Sequence, residues 1–180
     1  MRQLKYLILH CTASAFGADL TGADVERLHR NVFRWSKVGY RAVVRRNGAI
    51  DRLVPANRNC FVEDEEVTWG AGDINAVSHH VVYVGGLGPD GTPADTRTPS
   101  QKAALQYVCR FYIEQVCPQV KVMGHNQVPG PAGIRACPSF WVPDWLDAIG
   151  FPDQNIYRED PHNQKDIIRT LKTYESFAKI

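Results

Sequence analysis

The sequence predicts an α/β protein with one central mixed β-sheet flanked by helices, a metal site at the strand ends, and a short C-terminal appendage. Three observations carry that expectation. "KYLILHCTA" near the N-terminus is a short, continuous apolar run that suits a central strand covered on both faces. Strand-like and helix-like segments then follow in the order strand, helix, strand, strand, strand, helix, strand, helix. An Asn47-Gly48 pair between two apolar runs marks a hairpin within that order.

Each element has its own local signal. "TGADVERLHRNVFRW" places Val25, Leu28, Val32 and Trp35 at helical spacing, with Thr21 as N-cap and Asp24 and Glu26 in the first turn. "GYRAVVRR" and "AIDRLV" flank Asn47-Gly48, which would supply the positive φ angles of a type I′ turn. "SHHVVYVGG" is a further strand that ends at a double glycine. In "DTRTPSQKAALQYVCRFYIEQVCP", Thr98, Pro99 and Gln101 form a capping-box start. Leu105, Val108, Cys109, Tyr112 and Val116 give that helix one apolar stripe. "VKVMGH" is a short strand that delivers His125, and "VPDWLDAIG" is a terminal helical turn or two, anchored to the body by Trp141 and Trp145.

The 180 residues allow one domain with a proper core and exclude two full domains. The division expected is a domain over 1–150 and an extension over 151–180. There "FPDQNIYREDPHNQ" is a polar linker, and "KDIIRTLKTYESFAKI" is a helix carrying Ile167, Ile168, Leu171, Tyr174 and Phe177 on one face. A net charge of +2 gives no electrostatic case for nucleic acid or membrane partners. No apolar run approaches the roughly 18–20 residues that span a bilayer. At the N-terminus the apolar part is only Tyr6 to Leu9, short of the ~7–15 residues of a signal peptide's core, so synthesis in a cytoplasm without an export signal is expected. Five cysteines in no framework spacing then make disulfides unexpected, with Cys109 and Cys117 buried on a helix. Nothing in the sequence sets the oligomeric state.

The chemistry concentrates in "GHNQVPGPAGIRACPSF", residues 124–140. His10 ends the first strand, His125 ends a later one, and Cys137 follows a loop whose Pro129, Gly130, Pro131 and Gly133 can turn the chain back toward His125. Strand ends let a fold aim distant residues at one point. Three N/S ligands are the number that catalytic zinc uses, with the fourth position left to water, and the 12-residue separation of His125 and Cys137 fits no zinc-finger pattern. Six histidines and five cysteines also allow accidental triples. His29, on the first helix beside Arg27 and Arg30, is expected at the surface or half-buried, His162 in solvent, and Cys11 in the core.

The ordered set "LILHCTAS", "GYRAVVRRNGAI", "SHHVVYVGG", "DTRTPSQ" and "GH…IRACPSFWV", over about residues 5–146, resembles the phage-type N-acetylmuramoyl-L-alanine amidases, relatives of the peptidoglycan recognition proteins. The resemblance implies Zn²⁺ held by His10, His125 and Cys137, and cleavage of the amide between N-acetylmuramic acid and L-alanine in peptidoglycan. It implies a catalytic Tyr40, and Arg135 where phage members carry Lys; Arg offers charge without proton donation near neutral pH. Many relatives read "WHAG" where this chain has Trp69 to Gly72 as "WGAG". His79 or His80 is a candidate replacement for the missing imidazole, and adjacent strand residues point to opposite faces. With Asn75 and Trp69 they are the candidate substrate contacts. The setting implied is a lysis enzyme made in the cytoplasm that reaches the cell wall after release. The alternatives are a non-hydrolytic peptidoglycan-binding module and a muropeptide-recycling amidase; Cys137 argues against both, since the first tends to lose it and the second to use Asp there.

Overall fold

In the computed structural model, which describes residues 1–55, 58–133 and 135–174, the strands are β1 (Arg2–Gln3), β2 (Tyr6–Cys11), β3 (Ala42–Val44), β4 (Ile50–Arg52), β5 (Phe61–Val62), β6 (Ser78–Tyr83) and β7 (Lys121–Gly124). The α-helices are α1 (Gly22–Arg27), α2 (Pro99–Phe111), α3 (Val142–Ala148) and α4 (Lys165–Arg169). Five strands form one mixed sheet in the order β4-β3-β6-β2-β7, and β1 pairs with β5 in a small separate ribbon. β2 runs parallel to β6 on one side and to β7 on the other. β3 is parallel to β6 and antiparallel to β4.

The continuous apolar run of β2 reflects this central position. Leu7 and Leu9 face the main core with Leu105, Val108 and Cys109 of α2. Ile8 faces the other side with Met123 and Val128. α2 starts with the expected capping box, Thr98 accepting from the Gln101 N–H and Gln101 from the Thr98 N–H. The same Gln101 donates its Nε2 to the carbonyls of Val44 and Val84, which ties the helix start to the sheet.

Several local expectations need correction. The hairpin forms, but with a positive φ at Gly48 alone (87°), so the turn is not type I′. The Gly48 N–H closes a turn onto the Arg45 carbonyl, and the Asn47 side chain accepts from Ala49 N–H instead of Asn47 taking a left-handed backbone.

α1 is followed by a π-helical turn over Leu28–Val32, in which Phe33 N–H reaches the Leu28 carbonyl. The wider turn rotates the stripe. Val25 and His29 are buried, while Leu28 and Val32 face outward. His29 is therefore neither at the surface nor half-buried. Its Nδ1 accepts from Gly39 N–H at 3.2 Å, and its ring stacks on Trp35.

The segment after Gly150 is no solvated linker. Phe151 and Ile156 enter the core, and Asn155 donates to the Pro118 and Val120 carbonyls. His162 leaves solvent too, because its Nε2 meets the Val128 carbonyl at 2.7 Å beside Gly133, where a Cβ would collide with the ring. α4 stops at Arg169, and the chain then extends: Asp95 N–H bonds the Lys172 carbonyl and Tyr174 N–H bonds the Asp95 carbonyl. Backbone pairing thus replaces the helical stripe. Ile168 is buried, Ile167 is exposed, and Phe177 lies outside the described residues.

Cys60 and Cys117 form a disulfide, against the expectation of none; the fold brings their Cα atoms to 4.7 Å, within reach of a bridge. Among the described residues, no helix is long and apolar enough to cross a membrane.

Candidate active site

Because β2 and β7 are parallel neighbours, their C-terminal ends open onto the same edge of the sheet. His10 lies at that end of β2 and His125 directly follows β7, so their Nδ1 atoms come within 3.1 Å of each other. Cys137 arrives through the Gly/Pro loop. Gly130 takes a φ of 78°, and a Cβ on Gly133 would lie 1.9 Å from the Val128 carbonyl oxygen, so the return path requires glycine there. Asn126 N–H donates to the Cys137 carbonyl at 2.7 Å, and Cys11 N–H to the Cys137 Sγ at 3.2 Å. The Sγ then stands 3.9 Å from His10 Nδ1, and the three donor atoms all lie within 4.8 Å of one another.

Electrostatics keep the two imidazoles neutral, as lone-pair donors. Burial, reinforced by His125, His80 and Arg135, holds the His10 imidazole well below its ordinary pKa. Burial and Arg135 lower His125 to about 4. Burial pushes the Cys137 thiol up, and contact with Cys11 adds to the effect. Two neutral imidazoles facing each other through Nδ1, beside a thiol that resists ionisation, form a site that a divalent cation would satisfy.

The cavity beside these donors measures about 380 Å³ and is lined also by Tyr40, Arg135, Thr12 and Leu87. The Tyr40 ring lies 5.0 Å from that of His10, and burial raises its phenol, which keeps the O–H available as a donor. Arg135 is exposed at the cavity wall. A second cavity, lined by Ala42, Val81, Val108 and Phe111, lies against the α2 face and holds none of the three donors.

The other sequence candidates separate. His80, fully buried, shares the face of His10, and its Nδ1 lies 3.0 Å from His10 Nε2. His79 points to the opposite face, where it meets Arg41 Nη1 and Tyr112 Oη in the core. Asn75 accepts from Ala71 N–H at 2.7 Å and so braces its own turn. Trp69 is exposed near Trp35, with ring centroids 6.4 Å apart. At Gly70 a Cβ would stand 2.6 Å from His80 Nδ1, so a side chain there and the His80 ring exclude one another. Two supporting residues escaped sequence analysis. Ser139 donates to the Gly86 carbonyl and steadies the segment after Cys137, and Ser78 bonds His80. Ser78 was discoverable, because it precedes His80 by two and strand periodicity puts both on one face.

The family model for N-acetylmuramoyl-L-alanine amidase (Amidase_2) matches residues 1–140. An endolysin of Enterobacteria phage K11 is 27% identical over 145 residues, which cover 81% of this chain and 87% of that protein. An endolysin of Klebsiella phage KP32 is 26% identical over 146 residues, 81% of this chain and 87% of that protein. In fold, the chain is similar to the endolysin amidase LysCS of Clostridium intestinale, with TM-score 0.63, 18% identity, and coverage of 84% of this chain and 86% of that one. Drosophila PGRP-LB is also similar, with TM-score 0.55, 18% identity, and coverage of 77% and 76%.

Proposed function

The chain belongs to the N-acetylmuramoyl-L-alanine amidase family, and on that premise we propose that it cuts peptidoglycan between the lactyl group of N-acetylmuramic acid and the L-alanine of the stem peptide, as a phage or prophage endolysin acting on the cell wall after release. Water adds to the lactyl carbonyl carbon, the C–N bond breaks, and L-alanine leaves as a free amine. The observation that carries this assignment is the convergence of His10, His125 and Cys137 within 4.8 Å, with His125 and Cys137 lining a cavity shared with Tyr40 and Arg135. We assign the amidase domain to residues 1–150 and read 151–180 as an extension, whose Phe151 and Ile156 pack into that domain's core.

The donor set suits zinc. Tetrahedral coordination with Zn–N of about 2.05 Å and Zn–S of about 2.3 Å separates two nitrogen donors by about 3.3 Å, and nitrogen from sulfur by about 3.6 Å. From His10 Nδ1 the separations are 3.1 Å to His125 Nδ1 and 3.9 Å to Cys137 Sγ, and all three donors lie within 4.8 Å of one another. His10, His125 and Cys137 would hold the ion, as two neutral imidazoles and a thiolate. When bound, zinc supplies Lewis acidity, lowering the pKa of a water toward ~7 and polarising the amide carbonyl.

The chain's own groups do the rest. Tyr40 donates its O–H to the carbonyl oxygen as negative charge develops there, where a fixed donor is worth more than in bulk water. Arg135 adds positive potential at the cavity wall.

The test is incubation of the zinc-loaded protein with purified sacculi. Stem peptides with new N-terminal L-alanine are the expected product. Release of reducing sugar without new amino termini, or binding without any release, would overturn the assignment.

A further inference from the structure

A directed series of hydrogen bonds leads from the turn before β6 into the metal-facing imidazole. The Ser78 hydroxyl donates to the Ile74 carbonyl at 2.7 Å. Its one proton is thereby committed, so at the 2.9 Å contact between Ser78 Oγ and His80 Nε2 the ring nitrogen must be the donor. A neutral His80 with its proton on Nε2 has a lone pair on Nδ1. That lone pair faces His10 Nε2 at 3.0 Å, so His10 must carry its proton on Nε2 and leave Nδ1 bare. His10 Nδ1 is the atom facing both His125 Nδ1 and Cys137 Sγ.

We propose that His80, anchored by Ser78, is a positioning residue that locks His10 in the Nε2–H tautomer and so aims the Nδ1 lone pair at the metal position. The proposal rests on the assignment of His10 as a ligand. His80 is fully buried and acts through His10 rather than on substrate. Its ring plane is held at both nitrogens, one by Ser78 and one by His10, which also restricts rotation of the His10 ring. Gly70 belongs to the device. A Cβ at that position would lie 2.6 Å from His80 Nδ1 and 2.8 Å from the Gly39 carbonyl oxygen, so Gly70 leaves the space in which the His80 ring sits. Partners of this kind on ligating histidines typically change metal affinity by ~10–100-fold when removed.

The test has two arms. In the unaltered metal-free protein, long-range ¹H–¹⁵N NMR of the histidine rings reads the tautomer directly: His10 is expected as the Nε2–H form and His80 likewise. A proton on His10 Nδ1 would overturn the proposal without any substitution. In the second arm, zinc affinity is measured by competition with a chromogenic chelator. His80→Leu should weaken binding ~10–100-fold and mix the His10 tautomers, while His80→Asn, whose Oδ1 can stand where Nδ1 stood, should recover most of both. A folded His80→Leu protein with unchanged affinity and an unchanged His10 tautomer would refute it. Failure of the unaltered protein to bind zinc, with His10 still in the Nε2–H form, would instead refute the assignment of the metal site and leave the hydrogen-bond series standing.

Discussion

His10 Nδ1 and His125 Nδ1 lie 3.1 Å apart although 115 residues separate them in the chain. The parallel pairing of β2 with β7 makes the approach possible, since it puts both strand exits on one edge. Burial disfavours a charge on either imidazole, and Arg135 adds to that pressure. Two neutral imidazoles so placed, with Cys137, could hold a metal ion.

Tyr40→Phe removes a hydroxyl and little else. If the phenol supports the developing oxyanion, kcat on sacculi or a soluble muropeptide should fall ~10²–10³-fold with KM little changed, the usual cost of losing one such donor. A variant that keeps full kcat would restrict Tyr40 to packing beside His10.

Arg135 is exposed, so its charge is partly screened. Arg135→Ala should lower kcat/KM by less than Tyr40→Phe does, and Arg135→Lys should restore most of it. Steady-state rates at rising salt give the check. The gap between the native enzyme and the alanine variant should narrow, and a constant gap would mean that the side chain acts by shape.

His79 bears on stability rather than catalysis. Burial, then Arg41 and His80, lowers its pKa from 6.5 to about 2. The unfolded chain takes up a proton as pH falls below 6.5, whereas the folded chain does not until near 2. The contribution is therefore complete above pH 6.5 and lost on acidification, at up to about 1.4 kcal/mol per pH unit. Denaturant unfolding of the metal-free protein between pH 7 and 4.5 should show His79→Asn less stable at pH 7, with a pH slope shallower by about one proton. Parallel slopes would contradict this.

The Cys60–Cys117 bridge joins positions 57 residues apart. Closing a loop of that length limits the unfolded chain by up to ~4 kcal/mol. Cys60→Ala should cost ~2–4 kcal/mol of unfolding free energy under oxidising conditions, and the difference from the native protein should shrink when reductant is added. Equal stability in both conditions would make the bridge irrelevant to the fold.

Much of this architecture was legible from local chemistry. The β2 run, the Thr98 capping box, the α2 stripe and the strand that delivers His125 each have one short-range cause. What sequence analysis missed depends on partners remote in the chain. The apolar spacing of residues 25–35 pointed to an unbroken α-helix, but the π turn lets His29 find Gly39 N–H and Trp35. The polar-looking segment 151–157 packs because Asn155 meets two carbonyls that only the folded chain puts within reach. The disulfide depends on two residues that no spacing rule connects. His10, His125 and Cys137 were expected to converge from strand ends and a turn-forming loop, and the fold brings them within 4.8 Å of one another. Which of His79 and His80 faces His10 awaited the register of β6 against β2.

The most direct measurement is a zinc titration of the metal-free protein, with bound metal and release of L-alanine-headed stem peptides from sacculi followed together. One zinc per chain should bind, and release should rise in proportion to occupancy. His125→Ala should lose affinity by more than the ~10–100-fold that removal of a supporting partner costs. Full turnover in the rigorously chelated protein, or unchanged zinc binding after His125→Ala, would contradict a metal centre made by His10, His125 and Cys137.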